Sequence, residues 1–288
     1  MKKFEIEGHE PSLLPEGKEW TLAWSDEFDG DKLDESKWSY RRDFWGEQFE
    51  AYTDRGVSLD GQSHVVFRPV VVDGRLCSAQ LQTGGNSFDK IDLRGAIANR
   101  MAKRNGDNPW NEIEIWPLKP LEEPKFMHRY GYYEARVKFQ KKDFWWSAFW
   151  TQSPSIGAAY NPAFCGVESD IIENFVDGQL TSGNIYGGYG KQIKGEARVY
   201  YPYTEDGEYH RLGMEWSEDG YVFYFDGKET ARSSGPVSQV EQFILLTTEV
   251  KGYRNGKLRT DFTKEELADC FMADYVRVFD EVKSGKAD

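Results

Sequence analysis

From Trp20 onward the apolar residues come in runs of strand length, and almost none of them could wind a helix. "WTLAWSDEF" alternates apolar and polar residues as a half-buried strand does. "AYTDRGVSLDG", "SHVVFRPVVVDG" and "RLCSAQLQT" follow. The first two close on Asp60-Gly61 and Asp73-Gly74, dipeptides that suit tight hairpin turns. Further on, "YGYYEARVKFQ", "WWSAFWTQ", "VESDIIENF", "LTSGNIYGGYG", "YHRLGMEWSEDGYVFYFDGKET", "QFILLTTEV" and "ADYVRVFDEV" are rich in aromatic and β-branched residues and end at Gly, Asp or Pro. Only "FTKEELADCF" reads as a helix, with Thr263 and Glu266 at capping-box spacing and Leu267 and Phe271 on one face. Without alternating helices there is nothing to cross over between parallel strands. The chain is therefore expected to fold as an all-β sandwich of two antiparallel sheets. No linker divides it, so residues 1–288 read as a single domain, with 1–18 as a polar N-terminal extension and 281–288 as a tail. The Pro-rich stretch Ala102–Met127 reads as one long loop.

At 39% hydrophobic residues the chain can bury a core of its own. Its aromatic share of 15% suits either that core or a groove that stacks sugar rings, and composition does not choose between them. A net charge of −13 repels nucleic acid and anionic membrane, so both are poor partners. The basic segment "KQIKGEAR", with Lys191, Lys194 and Arg198, runs against that trend. Cys77, Cys165 and Cys270 are too few and too far apart for a disulfide framework or a zinc site. No stretch of about 18 apolar residues offers a membrane span, and the first twenty residues hold no apolar core of signal-peptide length. The chain is expected to act as a monomer.

The segment "GVESDIIENF" carries the chemistry. Glu168 and Asp170 share one face of a strand, whereas Glu173, three residues later, would point the other way. A β-bulge around Ile171 and Ile172 adds one residue, flips the parity and returns Glu173 to the face of its partners. Glu168 and Glu173 then stand about four ladder steps apart, roughly 13 Å along the backbone. Side chains leaning together bring the carboxyls to about 5 Å, the separation of a retaining glycosidase. Asp170 lies between the pair, where its charge helps keep a neighbouring carboxyl protonated. Spacing alone also allows a solvated acidic face or a calcium cluster.

With these residues in view, the chain resembles glycoside hydrolase family 16, whose signature Glu-x-Asp-x-x-Glu lies on a bulged strand of a β-jelly roll and is matched by "ESDIIE". The similarity extends to "LAWSDEFDGDKLDESKW", "YGYYEARVKF" with "FWWSAFW", "EYHRLGMEWSEDGYVFYFDGK" and "ADYVRVFD", nearly the whole chain. It implies a jelly-roll sandwich with a concave substrate cleft and a retaining endo-β-glycosidase acting on an extended polysaccharide. By resemblance Glu168 is the nucleophile, Glu173 the general acid and then base, and Asp170 the residue that tunes the nucleophile. Trp146 and Trp150 would line the subsites beside the scissile bond. Trp45, Glu47, Asn184 and Tyr186 are further substrate-binding candidates, Asn184 or Tyr186 standing in for a histidine that "NIYGGYG" lacks.

Ser169 replaces the aliphatic residue usual after the first glutamate. His210 matches a structural Tyr-His pair. The resemblance requires no cofactor but implies a structural Ca2+, with Asp274 as the side chain to hold it. It also implies work outside the cytoplasm, whether secreted, periplasmic or at the cell surface. A neutral β-1,3- or mixed-linkage glucan is the first expectation for substrate. Galactans such as agar, porphyran or carrageenan are the second, and a non-catalytic carbohydrate-binding protein on the same fold is the third.

Overall fold

The computed structural model describes residues 1–44, 47–48, 50–90, 113–252 and 258–283. Two antiparallel sheets dominate it. The seven-stranded sheet has the order Lys194–Pro202, Gln179–Tyr186, Val167–Val176, Trp145–Gln152, Phe243–Val250, Gln80–Gln82, Ser39–Tyr40. The path of the eight-stranded sheet runs Lys228–Ser233, Gly220–Phe225, His210–Ser217, Gly131–Lys138, Phe271–Glu281, Val65–Phe67, Val57–Leu59, with Trp20–Asp26 also pairing Phe271–Glu281. This is the all-β sandwich that the strand-length runs require.

Period-2 alternation builds the core between the sheets. Trp145 and Phe149 point inward from one sheet, and Tyr133, Ala135 and Val137 from the other. Leu212, Met214 and Trp216 join them, all buried in one cluster. Ile171 and Ile172 both enter that cluster, although they are consecutive in one strand. Only an irregular strand can do this.

The N-terminal residues are more than a polar lead. Lys2–Phe4 and Ser12–Leu14 pair as a ribbon, and Leu14, Trp20, Tyr132 and Phe279 form a second apolar cluster. Beneath the ribbon Arg277, fully buried, grips Glu27 through Nε and Nη2 and donates from Nη1 to the Glu10 carbonyl and Ser12 Oγ. The helix expected in "FTKEELADCF" is a single turn, Lys264–Leu267, with its Thr263/Glu266 capping box in place. Phe271 belongs instead to the strand Phe271–Glu281. Of the long loop, Ile113–Met127 contains no strand or helix apart from its approach to Thr83, and the part before it lies outside the described residues.

His210 is packed structurally, as its sequence context suggests. Nδ1 meets Asp226 at 2.8 Å, Nε2 meets Asp206 at 3.2 Å, and the ring stacks on Phe225 at 4.8 Å. The bond to Asp226, more than the opposing burial, raises its pKa. A raised folded-state pKa contributes stability that is complete below the unfolded value of about 6.5 and fades as pH climbs through the folded value. Both aspartates are substantially solvated, so the contribution is about 1 kcal/mol. The gap in melting temperature between wild type and His210→Gln should be widest at about pH 5.5 and narrow as pH rises above the ordinary imidazole value. A gap that stays constant with pH would refute a charged His210.

Candidate active site

The bulge lies where the carboxylates demand it. Along the neighbouring strand Trp145–Gln152, Gln152 pairs with Glu168, Trp150 with Asp170, Phe149 with Ile172 and Ala148 with Glu173, the register shifting between Phe149 and Trp150. On the other side Asp170 pairs with Gly183 and Glu173 with Thr181. Ile171 is thus the extra residue against Trp145–Gln152, the shift on the other side falls between Asp170 and Glu173, and Glu168, Asp170 and Glu173 share the sheet face away from the core. Five residue steps from Glu168 to Glu173 oppose four from Gln152 to Ala148. The backbone separation is then the roughly 13 Å that lets the carboxyls approach the spacing of a retaining pair.

Glu168 is 8% exposed and Asp170 5%. Gln152 Nε2 donates to Glu168 Oε2 at 2.6 Å, and the hydroxyl of Tyr189 donates to the same oxygen. Burial, then the charge of Glu168, holds the Tyr189 hydroxyl well above its ordinary pKa, so it stays a donor. Behind Gln152 runs a buried polar relay. Asn86 Nδ2 donates to Gln152 Oε1 at 2.9 Å and approaches Asp89 Oδ2 at 3.3 Å. Arg41 clasps Asp89 with Nε at 2.7 Å and Nη2 at 3.1 Å, and its Nη1 donates to Gln80 Oε1 at 3.2 Å. Glu173, nearer the other end, has Thr181 Oγ1 and Arg198 Nη2 each 3.4 Å from Oε2.

The strand carrying Gln152 presents Trp146, Ala148, Trp150 and Gln152 to this face in strict alternation. Both tryptophans are half-buried. The indole of Trp150 donates to Thr247 Oγ1 at 3.0 Å, and the Arg41 guanidinium lies 5.9 Å from its ring. Trp146 and Trp150 are therefore on the same side as the carboxylates rather than in the inter-sheet core.

Asn184 and Tyr186 are not. Asn184 pairs with Ser169 and Tyr186 with Val167, residues of the opposite parity, so both stand on the other face of the sheet. Asn184 is 1% exposed on that face, and the Tyr186 hydroxyl reaches Glu196 at 3.5 Å. Gly183 and Ile185 hold the positions beside Asp170 and Glu168 instead. The tyrosine that reaches the site is Tyr189, in the turn just beyond the strand. Trp45 lies outside the described residues, as does the side chain of Glu47. Asp274 sits far from the carboxylates, in the other sheet, and its Oδ2 accepts from Arg136 Nη1 at 2.6 Å. Binding a hard cation there would mean giving up that arginine. Among the described residues no three of His, Cys, Asp or Glu gather as a metal cage.

Sequence reasoning missed Gln152, Tyr189 and the relay behind them. The alternation through Trp146 and Trp150 points at Gln152. Nothing local marks Asn86, Asp89 or Arg41, whose partners are remote in sequence.

Comparison with known proteins agrees with this geometry. The family model described as Glycosyl hydrolases family 16 matches residues 120–246, which include all three carboxylates. Glucan endo-1,3-beta-glucosidase A1 of Niallia circulans is 25% identical over 284 residues, 90% of this chain; the chain spans 38% of the length of that relative. In fold, the chain is similar to the catalytic domain of an endo-1,3-beta-glucanase from Thermotoga petrophila RKU-1, with a TM-score of 0.62, 22% identity and 92% and 99% of the two chains covered. It is also similar to SCLam, a non-specific endo-beta-1,3(4)-glucanase, with a TM-score of 0.63, 18% identity and 96% of each chain covered. No helix among the described residues is long and apolar enough to cross a membrane. The bulged carboxylate strand lies inside the stretch that the model of glycosyl hydrolase family 16 matches, and the sandwich around it is shared with these solved structures.

Proposed function

We propose that the chain is a retaining endo-β-glycosidase that cleaves a β-1,3- or mixed-linkage glucan by double displacement. The observation that carries this reading is the bulge at Ile171, which sets Glu168, Asp170 and Glu173 on one face. Names of relatives support the choice of glucan, since they act on β-1,3- and β-1,3(4)-glucans.

In the first step a Glu168 oxygen attacks the anomeric carbon. The bond to the leaving sugar breaks, and Glu173 gives its proton to the departing oxygen. In the second, Glu173 takes a proton from water, the water oxygen attacks the anomeric carbon, and Glu168 departs as a carboxylate. Gln152 and Tyr189, both on Oε2, fix the carboxylate's orientation and stabilise the charge that returns to it. The negative charge of Asp170 keeps Glu173 protonated for the first step. Trp146 and Trp150 offer rings against which sugar faces stack. The chemistry needs carboxylates and water only, and we propose that a polysaccharide is the partner and that no cofactor takes part.

A galactan remains the second reading, because the basic segment does reach the site through Arg198. The test is release of reducing ends from neutral glucans, agar-type galactans and sulfated galactans, with product sizes followed over time. Mid-sized oligosaccharides from β-1,3-linked glucan are the expected result. Cleavage confined to galactans would overturn the substrate, single-residue products would overturn endo action, and lengthened chains would mean transfer to sugar. Binding without cleavage of any glycan would sink the enzymatic reading.

A further inference from the structure

Gly183 leaves open the path that Arg198 takes across the sheet. Gly183 faces Asp170 on one side, and the edge strand Lys194–Pro202 runs along the other. A Cβ on Gly183 would lie 2.8 Å from Arg198 Cγ and 2.9 Å from its Cα. No left-handed φ asks for glycine at this position, so the demand is for space. Over that bare backbone the arginine stem lies flat, and its guanidinium ends 3.4 Å from Glu173 Oε2.

Glu173 faces mostly acids. Glu168 and Asp170 share its strand, and Glu249 stands two strands away opposite Trp146, on the same face. Tyr189 reaches Glu168 from its turn, and Tyr200 of the edge strand pairs with Thr181 in line with Glu173. Lys251, beyond Glu249, is engaged with Asp177. Among the described residues, Arg198 is the cation seen to pair with Glu173.

Resting on the reading of Glu173 as acid and base, we infer that Arg198 is a positioning residue that sets how tightly Glu173 holds its proton, and so the alkaline limit of the reaction. The charges of Glu168 and Asp170 on the same face favour the protonated form of Glu173, which suits the acid of the first step. Too much of that would make it a weak acid, slow to give its proton to the leaving oxygen. A guanidinium reaching over Gly183 supplies the counterweight and holds the carboxylate oxygen beside Thr181.

The test is kcat/KM against pH for the wild type, Arg198→Met, Arg198→Lys and Gly183→Ala. Loss of the cation should move the alkaline limb of Arg198→Met up by about 0.5–1 pH unit, the solvated pair limiting the shift. Arg198→Lys should keep the wild-type limb. Gly183→Ala, whose Cβ would meet both the stem and the backbone of Arg198 while leaving its charge in place, should move it in the same direction as Arg198→Met. A folded Arg198→Met enzyme whose limb stays in place, whatever its kcat, would overturn the inference alone. Glu173→Ala separates the underlying reading: if that variant keeps the alkaline limb, Glu173 is not the acid and both claims fall.

Discussion

Glu168→Gln should lower kcat by about 10⁴-fold or more while leaving the fold intact, since removal of a nucleophile forfeits the covalent route outright. The substitution is nearly isosteric, and the amide oxygen of the new side chain can still accept from Gln152 and Tyr189, the two donors on Glu168 Oε2. Thermal melts should therefore barely change, which separates lost chemistry from lost structure. A sharper version uses an activated aryl β-glycoside and azide. With Glu168→Ala, azide enters the vacated side and displaces the leaving group directly, giving the α-glycosyl azide. With Glu173→Ala, the glycosyl-enzyme still forms on Glu168, azide displaces it in turn, and the product is the β-azide. Two inversions return the starting configuration and one does not. The same anomer from both variants, or azide products from neither, would contradict the roles assigned to the two glutamates.

That these glutamates were legible in the sequence follows from strand geometry. Spacing of two and then three is irreconcilable with a flat strand, and a bulge is the least costly repair, so the position of Ile171 follows from the motif. Trp146 and Trp150 were named by family resemblance alone, and they stand on the carboxylate face because they alternate along a strand whose Ala148 and Trp150 pair with Glu173 and Asp170. Asn184 and Tyr186 were misplaced because their face depends on register. The strand that bears them is set by the turn at Asp177 and Gly178, and its pairing with the carboxylate strand shifts twice. A single residue of slip exchanges the two faces of a strand, and nothing in "LTSGNIYGGYG" fixes the count. Gly183, which reads as a weak strand residue, turns out to be the passage for Arg198.

The N-terminal ribbon was hidden differently. Phe4, Leu14 and Trp20 are scattered among charged residues, and their partners Tyr132 and Phe279 sit on strands whose both faces look apolar. Arg277 could not be read as a buried anchor without knowing that residues 10–12 and Glu27 converge on it.

The buried relay behind Glu168 leads to the other large effect. Arg41 is 3% exposed and Asp89 5%, and the two are joined by a bidentate ion pair. Removing one partner of such a pair strands the other in a medium that cannot solvate it, at a cost of about 3–5 kcal/mol. For a chain of this size that is a fall in Tm of about 10 °C. Arg41→Met should show it, whereas the double variant Arg41→Met with Asp89→Leu, which removes both charges of the pair, should recover most of the loss. Activity should not recover in parallel. Asp89 and Asn86 are the links that aim the Gln152 amide at Glu168, and the double variant keeps neither the pair nor its hold on Asn86. Its kcat should remain about tenfold down with KM little changed, because a loosened donor weakens the nucleophile rather than sugar binding. Melting curves and kcat for the two single variants and the double decide the matter. If stability and kcat rise together in the double variant, the relay is scaffolding only. If stability returns and kcat does not, the sandwich has given up core volume to an ion pair whose use lies at the far end of the relay, on the Glu168 carboxylate.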